Sequence, residues 1–66
     1  MTESQISEYT DLIDINLNKI KKHVNQIEPS GGNRERYNTI NSILEDIRRT
    51  VEIMALAEYK EELKNK

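Results

Sequence analysis

Apolar residues recur through the first part of the chain at Ile6, Ile13, Leu17, Ile20, Val24 and Ile27, and Thr10 fills the one polar place in the row. The steps alternate between four and three residues, the heptad spacing that keeps one stripe of a helix facing a neighbour. A second row, Tyr37, Ile40, Leu44, Ile47, Val51 and Met54, steps three and four. Past Met54 the next place falls on Glu58, so this stripe stops well before the chain does. Neither half alternates every second residue as a half-buried strand would. The pattern predicts a first helix over about 3–28 and a second over about 34–63.

The stretch between the two rows holds the only proline, Pro29, and both glycines, Gly31 and Gly32. Proline lacks an amide donor and disfavours helical geometry in the residue before it, so the first helix should end near Glu28. Successive glycines admit left-handed backbone, and Asn33 is a suitable cap for the next helix. Thr2 followed by Gln5 fits a capping box at the start of the first helix. The expected fold is all-α: one antiparallel two-helix hairpin of coiled-coil character over residues 1–66, with the turn at 29–33. Zipped from the turn, it should set Ile27 against the Tyr37 region, Ile13 and Leu17 near Ile47, and Ile6 near Met54 and Leu56.

Some apolar residues lie off these rows. If Ile13 marks the inward direction, Leu12 points to one side and Ile15 almost directly away. Leu56, Tyr59 and Leu63 form a separate stripe on the second helix, with Ile53 and Ala57 beside it. An antiparallel hairpin brings both surpluses to the end away from the turn. Two such clusters at one end mark an interface rather than scattered surface residues. Leu12, Ile15, Ile53, Leu56, Tyr59 and Leu63 are therefore the candidate partner-binding residues, for another protein or for a second copy. The bland alternative is that the second helix curves and these residues cover the hairpin's own end.

Composition supports dependence on a partner. Of 66 residues, 35% are apolar and 33% charged, with neither tryptophan nor phenylalanine, so a hairpin of this length has one seam and little core. The net charge of −2 argues against nucleic acid as the partner. Lys19, Lys21, Lys22, Arg34 and Arg36 gather near the turn, but Glu28 and Glu35 dilute them. Glu3, Glu8, Asp11 and Asp14 precede those lysines on the first helix, an order that complements its dipole. On the second, Glu45 and Arg49 are placed for an exposed ion pair.

Cysteine is absent, which removes disulfides and thiolate metal sites and fits a reducing cytoplasm. No secretory signal opens the sequence and no apolar run is long enough for a bilayer. Gly31-Gly32 is not followed by the lysine of a phosphate loop. His23, the only histidine, has no co-ligands at metal spacing and reads as a solvated or half-buried helix residue. Glu45-Asp46 and Glu61-Glu62 are adjacent pairs pointing to different faces. No catalytic, cofactor or metal site is expected.

Gly31, Gly32, Asn33, Tyr37, the run Ile53-Met54-Ala55-Leu56-Ala57 and Tyr59 together resemble a known pattern. The E-type co-chaperones of the type III secretion needle subunit are hairpins of about this length. They have a Gly-Gly-Asp turn, a tyrosine five residues on, an isoleucine- and alanine-rich stretch and a tyrosine near the end. Here Asn33 stands in place of the aspartate, and Pro29 departs from the pattern by stiffening the turn. The resemblance spans the whole chain by length and architecture, with the matching residues concentrated after the turn. It implies a cytoplasmic bacterial protein without catalysis, which pairs with a helical-repeat chaperone to hold the needle subunit soluble and monomeric before export. The alternative is a homodimeric four-helix bundle with a regulatory or structural role, of which plasmid RNA-binding hairpins are one type. Needle subunits are themselves hairpins with a proline-containing turn, but the charged Lys60 to Lys66 suits a packed filament poorly.

Overall fold

The structure, a computed structural model, describes residues 1–64. The described residues form two helices, α1 over Glu3–Asn25 and α2 over Arg34–Lys64, packed side by side and antiparallel. Thr2 caps α1 with the full capping box. The Gln5 amide donates to Thr2 Oγ1 at 3.1 Å, and the Thr2 amide donates to Gln5 Oε1 at 2.9 Å.

α1 ends at Asn25, three residues before the sequence expectation of Glu28. The Gln26 and Ile27 amides donate to the carbonyls three residues back, His23 and Val24, each at 3.1 Å. Pro29 excludes helical geometry at Glu28, and the chain tightens into this shorter repeat before leaving the helix. α2 reaches Lys64, one residue past expectation.

The reversal itself rests on two features. Gly31 and Gly32 both lie in the left-handed region, at φ of 100° and 78°, where a side chain would strain the backbone. Asn33 then closes the loop. Its Oδ1 accepts from the Glu28 amide at 2.8 Å, and its Nδ2 donates to the Glu28 carbonyl at 2.9 Å. The expectation that the Asn33 side chain would cap α2 is corrected here. The side chain bridges the turn, while the backbone carbonyl receives the first helical bond, from the Tyr37 amide at 2.9 Å.

The line along which the helices meet differs from the one the apolar rows imply. On α1 the least exposed positions are Tyr9, Ile13, Asn16, Ile20 and His23, with Ile27 just beyond its end. On α2 they are Arg36, Ile40, Ile43, Ile47, Thr50, Met54 and Ala57. Among the described residues Ile43 alone is buried, with 8% of its surface still exposed. Ile13, Ile20, Ile27, Ile40, Ile47 and Met54 face inward as expected. Leu17, Val24, Tyr37, Leu44 and Val51 do not; they are exposed along one flank. Each helix is thus turned by one position of the heptad, about 50°.

Two polar seam residues, Thr50 and Arg36, are accommodated locally. The Thr50 hydroxyl donates to the Asp46 carbonyl at 3.0 Å, so its methyl can meet α1 without a stranded polar group. Arg36 lies over the turn and donates to Gln26 Oε1 at 2.6 Å. The anticipated Glu45–Arg49 pair is replaced. Arg48 pairs with Glu45 and Glu52, at 3.5 and 3.3 Å, and Arg49 with Asp46 at 3.7 Å. All are exposed pairs, worth little individually.

Candidate functional site

The hairpin is a rod of 57 × 18 × 11 Å with two broad faces. Two contacts fix its register: the Met1 amine with Glu61, and Arg36 with Gln26. In both the residue numbers total 62, so positions on the two helices summing to this value lie level. Helix periodicity then assigns every exposed residue to a side of the hairpin.

Leu12 and Ile53 each sit about 80° from the inward direction, on the same side of the hairpin. They are within about 5 Å of one another along the rod. Ile15 and Leu56 lie further out on that side, one on each helix. These four sequence-predicted residues are brought together on one face, and all are exposed, from Ile53 at 46% to Leu56 at 58%. Elsewhere the same face is polar, carrying Lys19, Lys22, Thr39, Ser42, Asp46 and Arg49. The apolar part is confined to the half of the rod away from the turn.

Tyr59 and Leu63 are placed differently. Tyr59 points almost directly away from α1, on the back of α2. Leu63 lies on the side of Leu56, but α2 has run past the start of α1 by that point, so it sits on an overhang. Both are more than half exposed. The bland alternative, that these residues cover the hairpin's own end, is not what the structure shows; none of the six is buried.

The opposite face carries the apolar row that the sequence pattern assigned to the seam. Leu17 and Val24 from α1 lie beside Tyr37, Leu44 and Val51 from α2, between 43% and 50% exposed. Thr10 occupies the remaining place in the α1 row and satisfies its own hydroxyl, which donates to the Ile6 carbonyl at 2.8 Å. Sequence reasoning missed these residues as a surface because it treated the apolar rows as the contact between the two helices. Their exposure depends on helix rotation, which the spacing of one row does not reveal.

His23 is half-buried in the seam, with Nδ1 enclosed and without a hydrogen-bond partner. Lys19, Lys21, Lys22 and Arg34 are exposed near the turn, whereas Arg36 is partly covered and engaged with Gln26. Among the described residues there is no cavity, no cluster of three or more metal-ligating side chains, and no helix long and apolar enough to cross a membrane. Comparison with known proteins finds no matching family model, no matching curated protein and no matching solved structure.

Proposed function

We propose that this hairpin is a non-enzymatic protein-binding module, a co-chaperone that pairs with a helical-repeat chaperone and helps to keep a type III secretion needle subunit soluble and monomeric before export. The observation that carries the binding role is the exposed cluster of Leu12, Ile15, Ile53 and Leu56 on one face near the open end. Such a cluster suits the concave groove of a helical repeat, which receives amphipathic helices by their apolar side. The specific chaperone assignment rests on the resemblance carried by Gly31, Gly32, Asn33, Tyr37, the Ile53–Ala57 run and Tyr59. A cytoplasmic location belongs to the same proposal.

The test is co-purification of the tagged chain with a helical-repeat chaperone and needle subunit from its own host. Recovery of both, lost in Leu56→Asp while far-ultraviolet circular dichroism of the isolated variant is unchanged, is the expected result. Leu63→Asp is expected to weaken capture less, because Leu63 sits on the overhang. Absence of both partners from the purified material would defeat the co-chaperone reading.

A further inference from the structure

The row Leu17, Val24, Tyr37, Leu44 and Val51 lies on the face opposite the cluster assigned to a chaperone, so that assignment leaves it uncovered. We propose that this face is the contact with a second copy of the chain, two hairpins stacking into a four-helix bundle.

The apolar rows of both helices, which include Ile13, Ile20, Ile40 and Ile47 from the seam, are centred about 50° away from the line joining the two helices. A helix that packs against one neighbour should point its apolar row straight at it. In a square bundle of four, the common core lies about 45° off the line to each neighbour. The observed offset is in the same sense on both helices, toward one face, as a shared core below that face requires.

Position along the rod agrees with the angles. The α1 row of Thr10, Leu17 and Val24 is centred on Leu17, and the α2 row of Tyr37, Leu44 and Val51 is centred on Leu44. Leu17 is level with residue 45, immediately beside Leu44, by the register that Arg36 and Gln26 set. Both rows therefore share one midpoint. A two-fold operation through it lays each row on a row of the other copy, apolar against apolar except where Thr10 is opposed, as a self-complementary interface requires. Flanking charges agree. With the turns at opposite ends Asp14 meets Lys21 of the second copy and no like charges on this flank are opposed; with the turns together Asp14 meets Arg48 but Glu3 falls on Glu58, so the turns-opposed arrangement is the favoured one.

Surface area points the same way. A folded 7.8 kDa chain ordinarily exposes about 4,400 Å², whereas this hairpin exposes 5576 Å². The excess, about 1,200 Å², exceeds the roughly 800 Å² that each partner contributes to a standard interface. The radius of gyration is likewise large, at 16.1 Å against about 11 Å for a compact chain of this length.

Sedimentation equilibrium of the full chain at tens of micromolar should give twice the monomer mass, with a melting temperature that rises with concentration. Leu44→Lys should give the monomer mass, and Leu56→Lys should retain the dimer. Because Leu44→Lys can also weaken the fold, a mixed sample of isotope-labelled and unlabelled wild-type chains supplies a mutation-free readout. Intermolecular Overhauser contacts are expected among the methyls of Leu17, Leu44 and Val51. A wild-type chain that is monomeric at these concentrations overturns the proposal, and so does a dimer whose intermolecular contacts fall on Leu12, Ile15 and Leu56. Neither outcome bears on chaperone capture, which is read separately.

Discussion

At the turn, Asn33 fills a role open to few other side chains. It accepts from the Glu28 amide and donates to the Glu28 carbonyl, so it needs an acceptor and a donor on one planar group. Asn33→Ala should lower unfolding stability by about 1–2 kcal/mol in urea titration, since both Glu28 groups return to solvent without a fixed partner. Asn33→Asp should fall between the two, because a carboxylate keeps the acceptor and loses the donor. If aspartate matches asparagine, the bridge to the Glu28 carbonyl contributes nothing. His23 presents the opposite situation, a polar side chain in the seam with an enclosed, unpartnered Nδ1. Replacing it by leucine should raise stability by about 1 kcal/mol, since an unpaired polar atom is removed and more apolar surface is buried. The increase would appear as a higher melting temperature at fixed protein concentration.

The helices draw their stability unevenly from their ends and from one another. α1 begins with two reciprocal hydrogen bonds between Thr2 and Gln5. Thr2→Ala should cost about 1 kcal/mol, and it should speed hydrogen exchange in the first turn of α1 while leaving α2 protected. Along the seam the deepest residue is Ile43, level with the stretch around Ile20. Ile43→Ala should cost about 2 kcal/mol, the low end for a large-to-small change, because a hairpin with two open faces closes easily around the gap. A loss beyond about 4 kcal/mol in the isolated chain would mean that Ile43 is enclosed from more sides than two helices can provide. α2 is an element of 31 residues against 23 in α1, so its last turn has nothing opposite it. That is why Leu63 is less central to the open-end cluster than its spacing from Leu56 implies.

As a whole, the molecule is a thin rod with unlike faces. One is apolar only near the open end, at Leu12, Ile15, Ile53 and Leu56; the other is apolar along its middle, at Leu17, Val24, Tyr37, Leu44 and Val51. One seam with a single buried side chain among the described residues, Ile43, is a small core for a chain of this length. Burial of either face would add what the isolated hairpin lacks. The two faces predict separable behaviour: Leu56→Asp should abolish chaperone capture without altering the sedimentation mass.

Heptad spacing, Pro29 and the paired glycines were enough to read two helices, their antiparallel order and the place of reversal, because these follow from local backbone preference. The angle between Leu12 and Ile15, and that between Ile53 and Leu56, followed as well, since helical periodicity fixes angles within one helix; that all four share one side of the hairpin did not. Rotation of the helices about their own axes was not legible. Rows of Ile, Leu and Val state where an apolar environment is wanted, not whether the adjacent helix supplies it. Packing of α1 against α2 decided that Asn16, His23, Arg36 and Thr50 line the seam and that Leu17, Leu44 and their neighbours face outward. The physical reason is that a heptad row suited to a bundle core points between neighbours, so a single neighbour covers only half of it.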